Sequence, residues 1–94
     1  MNTATLVKDI GVTKQPWGIT NNQAVYRLSP PCQGVSLVFV SEASFTSQGI
    51  DLHETMAFPS DGYKPIAFVP LMEVRVASQA ECLRELGYEI EGSN

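Results

Sequence analysis

The feature that most constrains the fold of this chain is the run VSLVFV over residues 35–40, its densest cluster of β-branched and aromatic residues. Successive side chains of a strand point to opposite faces of a sheet, so Leu37 and Phe39 share one face while Val38 and Val40 share the other. Both faces of this segment are therefore apolar, and both need cover from other parts of the chain. The run predicts a buried central strand.

Other segments are typical of half-exposed strands and turns. Alternating polarity favours strands over residues 5–12, 23–28, 54–58, 71–77 and 88–90. Two adjacent asparagines tolerate positive φ, so Asn21-Asn22 is predicted as a tight turn. Proline cannot donate to a ladder, and the two prolines in Ser29 to Gly34 predict a loop there. Residues 42–53 are predicted as a polar loop, and residues 66–69, between two prolines, as a brief strand or a covering segment.

A single helix is predicted near the C-terminus. Ser78 and Glu81 have the spacing of a capping box, and Gly87 supplies a left-handed stop after Leu86. The fold class expected from these patterns is α+β: a small, mainly antiparallel, twisted sheet with one C-terminal helix, at about 78–86, packed on one face. We expect one domain over residues 1–94, with 91–94 as a frayed tail.

Composition narrows the classes of partner. The 94 residues carry ten acidic and six basic side chains, a net charge of −4, and the basic residues are scattered along the sequence. Affinity for nucleic acid needs clustered Lys and Arg, so no nucleic-acid partner is expected. The first five residues lack the pattern of a secretory signal, and no apolar run reaches membrane-spanning length. We therefore expect an intracellular protein without a membrane partner.

Few residues here are suited to catalysis or metal binding. Asp51, His53 and Glu54, with Glu42 upstream, have the right ligand types. However, adjacent residues of a strand face opposite ways, and there is no second histidine. Cys32 with His53 has the residue types of a nucleophile and its base, without an activating context. Cys32 and Cys82 match no metal or redox spacing and are expected to be free thiols. These patterns predict no catalytic residue, no metal and no cofactor.

Apolar and aromatic residues within predicted turns and loops are better candidates for function. Such residues anchor protein interfaces when they do not pack on the core, and loops bracketed by proline lose less entropy on binding. The candidates for a partner-facing surface are Trp17, Phe45, Ile50, Leu52, His53, Asp61 and Tyr63.

Several short motifs resemble one group of proteins. They are YxLS at 26–29, VFVS at 38–41, ETMAFPSDG at 54–62, and a helix ending in GYE at 87–89. Over roughly residues 26–90 the chain resembles small bacteriophage accessory proteins that pair a V-V-V-S strand with an E-T-x-x-F-P-x-D turn and a helix closing on G-Y. The resemblance implies a phage or prophage protein in the host cytoplasm, and it assigns no functional residue.

The function expected from these observations is binding without catalysis: an accessory protein that modulates or inhibits a host protein, such as a component of host defence. One alternative is a homo-oligomeric sponge that sequesters a small signalling molecule, for example a nucleotide. Another is a minor virion or assembly component, and a hydrolase is the least favoured class.

Overall fold

The structure is a computed structural model that describes residues 2–75 and 78–91, without the side chains of Trp17 and Ser47. In this part of the chain six strands, a short 3-10 helix (Pro16–Gly18) and one α-helix follow one another. The strands and the helix, in chain order, are β1 (Thr3–Lys14), β2 (Thr20–Cys32), β3 (Val35–Ser47), β4 (Ile50–Pro59), β5 (Met72–Arg75), α1 (Gln79–Leu86) and β6 (Glu89–Glu91).

All six strands form one sheet in the order β5-β4-β3-β2-β1-β6. Consecutive strands from β1 to β5 pair in antiparallel fashion, whereas β6 lies parallel to β1. The predicted fold class is confirmed, and β3 lies in the interior of the sheet as the VSLVFV run requires. Because β6 pairs only with Thr3–Thr5, the rest of β1 forms an edge.

Helix α1 covers one face of the sheet, called the helix face here. Its residues Cys82 and Leu83 are fully buried and belong to the main apolar cluster. The other buried members of that cluster come from the strands and from Tyr88, which precedes β6: Ala4, Ala24, Tyr26, Leu28, Val38, Val40, Ala57 and Tyr88. Val38 and Val40 of β3 are 0% exposed, so the side of this strand that faces the helix is fully buried.

The opposite face of the sheet, called the back face, carries a second buried row. Cross-strand partners share a face, and Val25 pairs with Phe39, which pairs in turn with Phe58. Val25 is 0% and Phe39 7% exposed. The chain therefore buries apolar residues on both faces of β3, as its sequence predicts.

The Ser78 cap and the Gly87 stop predicted for α1 are present. Ser78 accepts a hydrogen bond from the Glu81 N–H (3.3 Å), and Gly87 adopts the left-handed conformation (φ 105°). After Gly87 the Tyr88 N–H donates to the Leu83 carbonyl (2.8 Å), which leads the chain into β6. Of the predicted 71–77 strand, β5 covers Met72–Arg75, and residues 76–77 and 92–94, the last part of the predicted tail, lie outside the described residues.

One turn was predicted in the wrong place, and one loop was predicted to be longer than it is. Asn21 and Asn22 lie within β2, where they pair with both neighbouring strands, and the turn is made instead by Pro16–Gly18. The turn into β3 lies within the predicted 29–34 loop but covers only Gln33 (φ 51°) and Gly34 (φ 80°), and the two prolines belong to β2. They occupy a break in the β2–β3 register between Arg27 and Cys32, and β1 ends its pairing at Ser29, so their missing N–H groups interrupt no regular ladder.

The prediction of a loop over residues 42–53 is wrong. Strands β3 and β4 continue to a two-residue turn at Gln48 (φ 53°) and Gly49 (φ 78°), whose positive φ values suit the twist of a hairpin. Polar side chains line the helix face of this extension and bond across it: Thr46 donates to Asp51 (2.8 Å), and Ser44 lies 3.0 Å from Nδ1 of His53. The segment is polar in composition because this part of the sheet lies beyond the apolar core.

Candidate interaction surfaces

The predicted site residues lie at two ends of the sheet. The hairpin end, defined by the β3–β4 turn and its flanking residues, carries Phe45, Ile50, Leu52 and His53, and the Pro16–Gly18 turn that contains Trp17 is close to it because Thr20 pairs with Ser44. The loop end, defined by residues 60–70, carries Asp61 and Tyr63. The Tyr63 ring lies beside the ammonium group of Lys8, whose ladder partner Val25 pairs with Phe39. Phe39 and Phe45 are six residues apart, which is about 20 Å along a strand. The side chain of Trp17 lies outside the described part.

The hairpin end has a shallow depression on each face of the sheet. On the back face, a depression of about 300 Å³ is lined by Phe45, Leu52, His53, Glu54 and Arg75. Phe45 and Leu52 are cross-strand partners and both are half-buried. On the helix face, a depression of about 270 Å³ is lined by Gly18, Thr20, Ser44, Phe45, Thr46, Asp51, Leu52 and His53. Ile50, 61% exposed, stands beside the turn itself.

The potential metal or acid–base group at this end is divided between the two faces. His53 and Ser44 share the helix face, as their register and their 3.0 Å contact show, while Glu54 pairs with Arg75 on the back face. Asp51 accepts from Thr46 at 2.8 Å. Within residues 2–75 and 78–91, no three His, Cys, Asp or Glu side chains are grouped as metal ligands.

The two cysteines are free thiols. Burial between α1 and the sheet raises the pKa of Cys82 to about 11, so at neutral pH its thiol stays protonated and is a poor nucleophile. Its sulfur donates to the Thr55 carbonyl at 3.9 Å. Cys32 is half-buried near the β2–β3 turn, and the structure separates it from His53 by the length of β3.

At the loop end, a compact hydrogen-bonded turn follows β4. The Asp61 carboxylate accepts from the N–H groups of Tyr63 (2.9 Å) and Lys64 (3.0 Å). Ser60 donates its hydroxyl to the Lys64 carbonyl (2.8 Å) and accepts from the Gly62 N–H (3.0 Å). The two backbone bonds stabilise the charged carboxylate and lower the pKa of Asp61. This turn therefore presents Tyr63 in a defined position.

The second half of the loop exposes its apolar side chains. Hydrogen bonds fix both of its ends to β4, from the Ile66 N–H to the Pro59 carbonyl (2.9 Å) and from the Leu71 N–H to the Ala57 carbonyl (2.7 Å). Between these anchors Ile66 is 62%, Phe68 89% and Val69 79% exposed. The prediction that 66–69 is a strand or a covering segment is wrong, because the segment runs outside the sheet before β5 begins.

Ile66, Phe68 and Val69 were missed as candidate site residues. The available signal was an apolar run that keeps no strand period and stands between Pro65 and Pro70. With Tyr63, which is 72% exposed, these residues form the apolar surface of the loop end. We call the four of them the loop patch.

No protein-family model, curated protein or solved structure matches this chain. The phage setting implied by the sequence motifs thus stays a prediction. In the described residues no helix is long and apolar enough to cross a membrane.

Proposed function

We propose that this chain is a non-enzymatic binding protein that docks onto a host protein through the loop patch, in the phage or prophage setting that its sequence motifs imply. The observation that carries the proposal is the exposure of Ile66, Phe68 and Val69, at 62%, 89% and 79%, in a segment fixed to β4 at both ends. Binding of this kind would modulate or inhibit the host protein by covering part of its surface.

The exposed apolar side chains of the loop patch favour association with a partner. Burial contributes roughly 25 cal/mol per Å² of apolar surface, and an aromatic side chain buries about 150–250 Å². Covering Phe68 and Tyr63 alone thus offers several kcal/mol towards the cost of association, to which Ile66 and Val69 add. Single exposed apolar residues are common on proteins, but three exposed apolar residues within one four-residue segment, with Tyr63 exposed in the turn before it, are typical of an interface.

The loop is also ordered before any partner arrives. Asp61 and Ser60 together make four hydrogen bonds within the turn, and Pro65 and Pro70 restrict the backbone on either side of the exposed segment. Less conformational entropy is therefore lost when the patch is covered. Aromatic anchors on a restrained loop are the arrangement in which a few residues carry most of the binding energy.

A second candidate function is the sequestration of a small molecule at the hairpin end. It is supported by the depression of about 300 Å³ on the back face, where the Phe45–Leu52 pair lies beside Glu54 and Arg75. This volume is at the lower limit of small-molecule sites. One fixed cation beside an acidic residue suits a polyanion such as a nucleotide poorly, so we favour the protein partner.

The chain offers a closely matched pair of variants to test the proposal. Ile66→Ser and Ile50→Ser replace the same residue type at nearly equal exposure, 62% and 61%, at opposite ends of the sheet. Both variants and the parent protein are used as bait for affinity capture from host lysate, and bound proteins and small molecules are identified by mass spectrometry.

Ile66→Ser is expected to lose a protein that the parent and Ile50→Ser both retain. The opposite result, in which Ile50→Ser loses its partner or a bound small molecule and Ile66→Ser does not, would move the site to the hairpin end. Equal capture by all three baits would contradict docking through the loop patch.

A further inference from the structure

Basic side chains that are scattered in the sequence gather around Tyr63 in the fold. The ammonium group of Lys8 lies 4.7 Å from the centroid of the Tyr63 ring. Lys64 follows Tyr63 in the same turn. Arg27 pairs across the ladder with Leu37, and a Cβ placed on Gly62 would lie 3.7 Å from the Leu37 side chain. Three of the six basic residues thus lie at the loop end.

The register explains how residues so distant in sequence meet. Lys8 pairs with Val25, so it lies on the back face, and Arg27 lies on the same face one pleat further along β2. The turn after β4 lies against Leu37 on this face, and its Tyr63 ring meets the ammonium group of the Lys8 side chain. All three basic side chains are exposed, and none of them forms an ion pair with a described acidic residue.

The charge of the rest of the chain is of the opposite sign. Three acidic residues lie near this corner. The Asp61 carboxylate is bonded to backbone N–H groups and interacts with the charge of Lys64. Asp9 follows Lys8 but pairs with Ala24 on the helix face, and Glu91 accepts from the Thr5 hydroxyl at 3.4 Å. The other seven acidic residues are accompanied by only three basic ones: Lys14, Arg75 and Arg84. On the back face, the three basic residues beside Asp61 and Glu91 therefore give this corner a locally positive charge on an acidic protein.

We propose that the partner of the loop patch is an acidic protein segment, in which carboxylates flank apolar anchor residues. This inference rests on the proposed function and adds the chemistry of the partner to it. The anchors would pack on Ile66, Phe68 and Tyr63, while the carboxylates face Lys8, Arg27 and Lys64. Complementary charge of this kind mainly sets the choice of partner and the rate of association. Three cations beside an apolar patch are too few for a surface that tracks phosphates.

Two synthetic peptides of equal length serve as probes: one has Glu and Asp around two Trp residues, and in the other each acidic residue is replaced by Lys. Titrations by fluorescence polarisation at about 0.05 M and 0.3 M NaCl compare strong and weak charge interaction, because screening shortens from roughly 14 Å to below 6 Å over this range. The acidic peptide is expected to bind at least tenfold more tightly than the basic one at low salt, and to lose most of that advantage at high salt.

Matched charge variants locate the effect. The test variant combines Lys8→Glu with Lys64→Glu. The control combines Lys14→Glu with Arg75→Glu, which changes the net charge equally but lies towards the hairpin end. The first variant is expected to weaken binding of the acidic peptide at least tenfold, and the control less than threefold. A third variant combines Arg27→Gln with Lys64→Gln and keeps the Lys8–Tyr63 contact. A loss of affinity in this variant is therefore not due to displacement of the turn.

The outcomes separate this inference from the proposed function. Equal affinity for the two peptides, no saturable binding of either, or equal effects of the two charge variants would overturn the acidic partner. Tighter binding of a single-stranded oligonucleotide than of the acidic peptide would also overturn it and would identify a nucleic-acid surface. In each of these cases the Ile66→Ser and Ile50→Ser captures decide independently whether the loop patch binds a protein.

Discussion

The two ends of the sheet treat apolar side chains in different ways. At the hairpin end, Phe45 and Leu52 are cross-strand partners, and both side chains are half-buried. At the loop end, Phe68 and Val69 have no strand beside them, because β5 pairs with β4 only from Met72 onward. They remain 89% and 79% exposed. A ladder thus supplies part of the cover for an apolar residue, whereas a loop fixed outside the sheet leaves the whole side chain available to a partner.

A series of Phe→Ala substitutions tests this comparison. The largest loss of stability is expected at Phe39, which lies between the two ends of the sheet. Phe39, 7% exposed, fills the back face between Val25 and Phe58. Its truncation should leave a cavity and cost about 3–5 kcal/mol, a large part of the stability of a small domain. Chemical denaturation gives the free energy of unfolding, with Phe45→Ala and Phe68→Ala measured alongside.

The expected order of destabilisation is Phe39, then Phe45, then Phe68. A Phe39→Ala variant that unfolds at the parent's denaturant concentration would contradict the burial of the back-face row. A Phe68→Ala variant as unstable as Phe45→Ala would show that the loop patch is covered in solution.

The next largest effect concerns binding. Since interface energy is concentrated in a few aromatic anchors, Phe68→Ala and Tyr63→Ala should each weaken binding to the captured partner by more than about 1 kcal/mol while the melting temperature stays nearly unchanged. Phe45→Ala should show the reverse, a lower melting temperature with binding retained. Paired thermal melts and titrations measure both quantities, and a stable Phe45→Ala variant with lost affinity would return the site to the hairpin end.

Local patterns in the sequence were sufficient to predict the scaffold. The two-sided apolar run predicted β3, and the spacing of Ser78 to Glu81 predicted the start of α1, because both depend on contacts within a few residues or on a strict period. The hairpin end was less predictable. Gln48 at positive φ is not a usual turn signal, and polar pairs such as Thr46 with Asp51 resemble the composition of a loop.

The loop patch could not be predicted because exposure depends on what lies beside a segment. Ile66 and Phe68 would be covered if the next strand began a few residues earlier, and nothing in their own sequence determines where β5 meets β4. The gathering of Lys8 with Lys64 has the same origin, since it follows from the order of the strands.

A smaller effect is expected at the helix, away from both ends. Ser78 accepts from the Glu81 N–H, so Ser78→Ala should cost on the order of 1 kcal/mol without changing the fold. Ser36→Ala, at an exposed strand position, is the matched control and should be close to neutral. If the two variants share one denaturation midpoint, the cap does not stabilise the helix in solution. Because α1 packs on the sheet between the two ends, peptide affinity at the loop end should be unaffected.

The smallest effect is expected from the turn that positions Tyr63. The bonds from the Tyr63 and Lys64 N–H groups favour the charged form of Asp61 and lower its pKa from the ordinary 3.8. A carboxyl whose pKa is lower in the folded state stabilises that state above its unfolded pKa, and the contribution disappears as the pH falls through the folded pKa. Asp61→Asn should therefore lower the melting temperature slightly at pH 7 and by progressively less below pH 3.8.

Asp51→Asn removes the same charge from the hairpin end and serves as the control for peptide binding. If the turn pre-organises the loop patch, Asp61→Asn weakens binding of the acidic peptide at pH 7. Electrostatics alone would predict tighter binding, because the substitution removes a negative charge. Because loop order and net charge act in opposite directions here, the sign of the change identifies which of them dominates. Tighter binding by Asp61→Asn would show that charge controls recognition and that the hydrogen-bonded turn does not.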